Sequence, residues 1–268
     1  MTLLPSYLVA MWATVRRDAA IFVSYRLRTV SQILGLLFSL TTFYYVARLV
    51  RPDAVGGHDR YFAFVVVGIV TVAVLGAALN TSQNVRLELM QGNFERMLVS
   101  PVGPAAGVIS LALFPVLYAS VVAVVVLLVA VGIFSIPLSV AGVPVALLVA
   151  GLATLAFIAV GMAFVALLIA FKSASGATWF ISGMSLLGGA YFPVKLFPGW
   201  LRWVSQVQPF TPSVDLLRHA LVGARLVEPV WLEVLKLGAF TAVLMPISMV
   251  MVWLAVQWSR RRGTITEY

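Results

Sequence analysis

The residues that could perform chemistry are few, and their spacing gives them little to do. The chain holds nine acidic residues (Asp18, Asp53, Asp59, Glu88, Glu95, Asp215, Glu228, Glu233, Glu267), two histidines (His58, His219) and no cysteine. Disulfides and thiolate metal sites are therefore excluded. Proteolysis inside a membrane would need an Asp pair, a Ser/His pair or a set of metal ligands within an apolar segment. All the acids and both histidines fall outside the long apolar runs. The same placement removes the ionisable residue that ion-coupled transporters keep within the bilayer. Lys172-Ser173 imitates the end of a phosphate loop, but Phe171 stands where that motif needs glycine and no strand is expected to lead into it. Asp215 and His219 are four apart and could share a helix face. Nothing positions a nucleophile beside them. Any uphill work must therefore draw its free energy from another polypeptide.

The elements around these residues are set by composition. Of 268 residues, 62% are hydrophobic and 10% charged, with mean hydropathy +1.05. Soluble domains carry roughly 25% charge. A chain this apolar needs lipid as its solvent. The net charge of +9 fits Arg and Lys flanking membrane spans better than nucleic acid, which is not expected as a partner. The first 28 residues hold Arg16, Arg17, Arg26 and Arg28 without a long apolar run, so no cleavable signal is expected.

Charge-free gaps mark the spans, each needing about 20 apolar residues. Arg28 to Arg48 encloses the first and Arg60 to Arg86 the second. The gap from Arg96 to Lys172 is too long for one crossing and is broken by Gly132, Pro137, Gly142 and Pro144, giving the third and fourth. Lys172 to Lys195 encloses the fifth and Lys236 to Arg260 the sixth. The expected fold is all-α integral membrane, one domain over 1–268, with both termini on the same side. Placing the termini in the cytoplasm puts ten basic residues inside and eight outside, with Arg260, Arg261 and Arg262 as the clearest anchor. Arg48, Arg51 and Arg60 depart from the rule.

Three polar segments interrupt the spans. In the first, over 1–28, Leu8, Met11, Trp12, Val15, Ala19 and Phe22 fall on one helical face, with Arg17, Ser24 and Arg28 opposite. It reads as an interface helix lying on the cytoplasmic surface. In the second, over 84–100, Leu87, Met90, Phe94, Met97 and Leu98 form an apolar face against Arg86, Glu88, Glu95 and Arg96, ended by Pro101. Such a helix could dock into a groove of a soluble partner. The third, over 193–232, mixes Phe192, Phe197, Trp200, Trp203 and Phe210 with Pro193, Pro198, Pro209 and Pro212. Short helices dipping into the outer interface are expected there, with Asp215, Arg218 and His219 on the polar side of one over Ser213–Leu221.

Two stretches resemble the membrane subunits of ABC type 2 exporters, a family that includes drug, lipid and polysaccharide permeases. Residues Asn93-Phe94-Glu95-Arg96-Met97-Leu98-Val99-Ser100-Pro101-Val102 look like the family's segment after span two. Gly189-Ala190-Tyr191-Phe192-Pro193-Val194, then Phe197-Pro198-Gly199-Trp200-Leu201, Gln208-Pro209-Phe210-Thr211-Pro212 and Leu217-Arg218, look like its exit from span five. The resemblance implies a coupling helix carrying Arg86, Glu88, Phe94, Glu95 and Arg96 that seats on a separate ATPase. It also implies an interface helix with Trp12, Arg16 and Arg17 touching that ATPase, and an extracellular gate around Phe192, Pro193, Phe197 and Trp200. It further implies a second permease chain, the same or homologous, and two ATPase copies holding ATP and Mg, with no cofactor in this chain. Pathway candidates are Gln32, Thr41, Thr42, Tyr44, Tyr45, Thr71, Asn80, Thr178, Trp179, Ser182 and Ser185, although such residues also serve helix packing. The implied function is export of a hydrophobic drug-like, lipid or lipid-linked substrate across the cell membrane. The other readings are a passive channel, a structural subunit of a membrane complex and a lipid-acting enzyme.

Overall fold

A computed structural model describes residues 12–20, 26–49, 57–94, 103–172, 176–226 and 228–262. Glu95, Arg96 and the rest of the 95–102 motif lie outside them, as do Leu8, Met11, Phe22 and Ser24 of the N-terminal segment.

Among the described residues the fold is all-helical, without strands. In chain order the helices are α1 (12–20), α2 (Arg26–Leu49), α3 (His58–Leu79), α4 (Thr81–Met90), α5 (Gly103–Phe134), α6 (Val143–Phe171), α7 (Gly176–Leu187), α8 (Gly199–Gln206), α9 (Phe210–Val222) and α10 (Val230–Arg261). Among the described residues five segments are long and apolar enough to cross a membrane: Val30–Leu49, His58–Met90, Ala106–Phe134, Val140–Phe171 and Val230–Arg261. Between Lys172 and Lys195, where a fifth of six spans is expected, stands the twelve-residue α7. At 1.5 Å per residue it is about 18 Å long, well short of a hydrocarbon core of about 30 Å.

The spans follow the charge-free gaps, and their ends have local causes. The α5–α6 connection leaves the helix at Ser135, which has φ of 53°. It resumes through a 3-10 turn at Val140–Gly142, with Pro144 in the first turn of α6, where a missing N–H costs nothing. Lys172 closes α6 in the left-handed conformation. A helix, not a strand, leads into Lys172, so no phosphate loop forms there.

α3 and α6 are central, buried over 72% and 67% of their spans, whereas α2 is buried over 11% and lies at the edge. The most extensive packing is α10 along α6. Lipid tails supply no hydrophobic drive between helices, so close approach depends on small side chains. The buried side of α6 has them: Ala146, Ala153, Ala156, Ala159, Gly161 and Ala166. At Gly161 the contact is so close that a Cβ would sit 2.2 Å from the Ala78 carbonyl oxygen.

The two ends of the bundle separate cleanly. At one end Ser139 N–H donates to Leu221 O at 2.7 Å, and Tyr61 Oη donates to Tyr191 O at 3.3 Å. The first bond joins the α5–α6 turn to the end of α9, and the second joins the start of α3 to the segment after α7. At the other end α1 meets α4.

Candidate functional site

The α1–α4 end holds the residues expected to couple the chain to a partner. Glu88 sits near the end of α4. Its Oε1 accepts from the Arg17 guanidinium at 3.0 Å, and the same guanidinium nitrogen lies 3.0 Å from Asp18 Oδ1. One cation thus ties two carboxylates across two segments. Burial raises the Asp18 carboxyl above its ordinary range, Arg17 opposes the shift, and the nearby Glu88 charge adds to it. Trp12 and Arg16 are exposed. Val15 and Ala19 face inward as expected, but Asp18 joins them and Trp12 does not. Arg17 lies between the two acids, so Asp18 sits on the side of α1 near Glu88.

The single amphipathic helix expected over 84–100 is corrected within its described part. α4 ends at Met90, and the chain turns through Gln91 and Gly92, whose φ of 71° is easiest for glycine. The turn resets the helical phase. Leu87 and Met90 point outward, at 55% and 60% exposure, whereas Phe94 is buried in the main core at 1%. Arg86 is exposed beside Leu87. The outward face of this segment is therefore Arg86, Leu87 and Met90, and Phe94 is its anchor.

The opposite end is organised by buried polar groups. Arg218, expected on a polar helix face, is 1% exposed, and this corrects that expectation. Its Nε donates to Phe64 O at 2.9 Å, and its two terminal nitrogens donate to Gly189 O at 2.8 Å and Ala190 O at 2.7 Å. Its guanidinium carbon stands 3.3 Å from the Phe64 ring centroid, and Asp215 lies 3.7 Å away. The planar fork of arginine suits such a carbonyl cage. Gly68 makes the approach possible, because a Cβ there would sit 2.0 Å from Ala190 O. Phe64 and Gly68 are about 9 and 15 Å along α3 from its start at 1.5 Å per residue. The segment after α7 therefore descends well into the bundle, and an ionised group goes with it.

The Gln208–Pro212 motif has a related role. Ser205 Oγ donates to Leu187 O at 2.5 Å and Gln208 Nε2 to Met184 O at 3.2 Å, satisfying carbonyls at the open end of α7. Thr211 Oγ1 donates to Ser205 O at 2.6 Å. Of the expected gate residues, Phe192 and Trp200 are exposed while Pro193 and Phe197 are half-buried. The Tyr191 ring stacks on Phe43 of α2, centroids 5.3 Å apart.

The pathway candidates divide. Gln32, Thr41, Thr42 and Tyr45 on α2, and Thr178, Trp179 and Ser182 on α7, are exposed, as is Asn80 at the α3–α4 junction. Tyr44 is half-buried, and Thr71 and Ser185 are buried. The hydroxyls of Thr41, Thr42, Thr71 and Ser182 each bond the carbonyl one turn back in their own helix. Asp215 and His219 do not form a pair: Asp215 lies against Arg218, and His219 Nδ1 lies 3.0 Å from Ala224 O. Among the described residues no cluster of three or more His, Cys, Asp or Glu could hold a metal ion.

An all-helical bundle with five membrane-length apolar helices among its described residues is that of a multi-pass membrane protein. Residues 6–222 match the model of the family described as ABC-2 type transporter, and the chain belongs to that family. No curated protein matches the chain significantly.

Proposed function

We propose that the chain is the transmembrane subunit of an ATP-binding-cassette exporter that moves a hydrophobic drug-like, lipid or lipid-linked substrate out of the cytoplasm. Two copies of a separate soluble ATPase bind ATP and Mg and supply the energy. A second permease chain, the same or homologous, completes the pathway. The termini and the α1–α4 end face the cytoplasm, and α7 with the segments beside it makes the sixth crossing. The segment from Pro193 to Leu232 is the re-entrant outer gate.

The observation that carries this reading is the Arg17–Glu88 contact, which fastens the N-terminal helix to the outward-facing Arg86, Leu87 and Met90 segment at 3.0 Å. A partner gripping either helix moves both. A ligand-driven shift needs differential contacts in two states. ATP-dependent closure of the two ATPase copies would supply them here and rock the permease pair as rigid bodies. The exposed polar residues on α2 and α7 then face the second chain across the pathway.

The test neutralises Glu95 and Arg96 together in the chain co-purified with its ATPase. Membrane insertion is expected to persist while hydrolysis no longer drives transport. Normal transport in the double variant would overturn the proposal.

A further inference from the structure

The last turns of α10 join a lipid-facing row of apolar side chains to two arginines. Thr241 Oγ1 donates to Leu152 O at 3.4 Å, and Ser248 Oγ lies 4.0 Å from Met162 Sδ, so α10 runs parallel to α6. Its C-terminal turn therefore stands at the end of the bundle that carries Lys172, α1 and α4. The helix buries Leu237, Ser248, Val252, Val256 and Ser259 on one face. Ile247, Val250, Leu254 and Trp258 recur every three or four residues on the opposite face and are 42–54% exposed. Arg261 continues that row three residues beyond Trp258 and is exposed. Arg262, four residues beyond, holds its guanidinium carbon 4.1 Å from the centroid of the Trp258 ring.

An apolar row facing lipid is ordinary in a membrane helix, and the groups that end this one make it selective. The indole face attracts the Arg262 cation without taking up the fork of N–H donors that matches a phosphate. Tryptophan at a span end also sits at headgroup level. From Ile247 to Trp258 the row is about 17 Å long at 1.5 Å per residue, close to half of a hydrocarbon core of about 30 Å. An acyl chain in one leaflet can lie along it with its phosphate level with Arg261 and Arg262. Charge then chooses the headgroup. The one carboxylate of α10, Glu233, is in its first turn, at the far end of the helix. Two arginines against a single phosphodiester favour a headgroup without an ammonium, because an ammonium would bring a like charge to them. The row is also open to lipid: α10 packs chiefly on α6 and less on α9 and α5, whereas α2 and α7 pack on α3.

We propose that the C-terminal half of α10 is a binding site for an anionic phospholipid of the phosphatidylglycerol type, with the acyl chain on Ile247, Val250 and Leu254 and the phosphate on Arg261 and Arg262 beside Trp258. The inference is independent of the exporter reading, because lipid retention is measured without an ATPase or a transport substrate.

The experiment is native mass spectrometry of the full chain in detergent with phosphatidylglycerol or phosphatidylcholine added at equal concentration, with and without soluble glycerol phosphate as competitor. Preferential retention of phosphatidylglycerol is expected, and glycerol phosphate, which has no acyl chain, should not displace it. Replacing both Arg261→Gln and Arg262→Gln should lower the preference roughly thirtyfold, the worth of two basic residues at an anionic surface. Both side chains are exposed, so the variant keeps the fold. Arg60→Gln, which removes an exposed arginine at the opposite end of the bundle, should leave the preference unchanged. Equal retention of the two lipids, displacement by glycerol phosphate, a double variant that keeps the wild-type preference, or an equal loss in Arg60→Gln would overturn the proposal.

Discussion

Arg17 and Glu88, 71 residues apart in sequence, meet at 3.0 Å and join the N-terminal helix to α4. The pair is partly exposed, with side-chain exposures of 48% and 17%. Pairs of this kind contribute about 1 kcal/mol or less to stability. In the proposed coupling its role is mechanical. Arg17→Glu or Glu88→Arg alone should leave the thermal midpoint of the purified chain nearly unchanged but reduce the ATPase response to the permease. The double charge swap should restore much of that response. A swap that restores nothing would show that the contact transmits no motion.

Arg218 carries the opposite expectation. It is buried and holds three carbonyl oxygens from α3 and the segment after α7. Arg218→Ala leaves those acceptors and Asp215 unpaired, at a cost of about 3–5 kcal/mol by analogy with broken buried pairs. Arg218→Lys should rescue little, because a point-charge ammonium cannot fork to three acceptors. Thermal unfolding in detergent with a fluorescent reporter would measure both. A lysine variant of wild-type stability would count against the cage.

The glycines give an internally controlled comparison. Gly68→Ala drives a methyl group into Ala190 O, whereas Gly151 on α6 has nothing within 4 Å of its would-be Cβ. Overpacking costs about 1–3 kcal/mol, and a mid-helix glycine replaced by alanine in open space gains up to about 1 kcal/mol. Gly68→Ala should thus lower the thermal midpoint and Gly151→Ala leave it unchanged or raise it. Equal effects would remove the case for close approach at Gly68.

Much of this was legible in the sequence, and the reasons can be given residue by residue. Membrane spans announce themselves because lipid excludes charge, so the gaps bounded by Arg28, Arg60, Lys172 and Arg260 marked helices. The turn near Pro137 and Gly142 was readable from helix-breaking residues. What periodicity could not supply was phase across a break. Gly92 turns the chain after α4, and Phe94 passes from an expected outer face to the core. Nor does a sequence display which backbone carbonyls stand open. Arg218 reads as a surface cation until the oxygens of Phe64, Gly189 and Ala190 are seen converging on it. Two signals pointed that way: a glycine, Gly68, within an apolar run, and Gly188-Gly189 at the end of α7. Glu233, expected outside the last span, departs for a simpler reason. α10 begins at Val230, before Lys236, so this acid falls inside the last long helix.

The central claim is that a separate ATPase drives the bundle from the α1–α4 end. The chain has no cysteine, so a single introduced one reports without background. Arg86→Cys, placed on an exposed turn of α4, should react with a membrane-impermeant maleimide in inverted vesicles stripped of the ATPase and not in sealed cells. Adding the ATPase back should protect it. Labelling from the outside of intact cells, or labelling in vesicles that the ATPase leaves undiminished, would contradict the account.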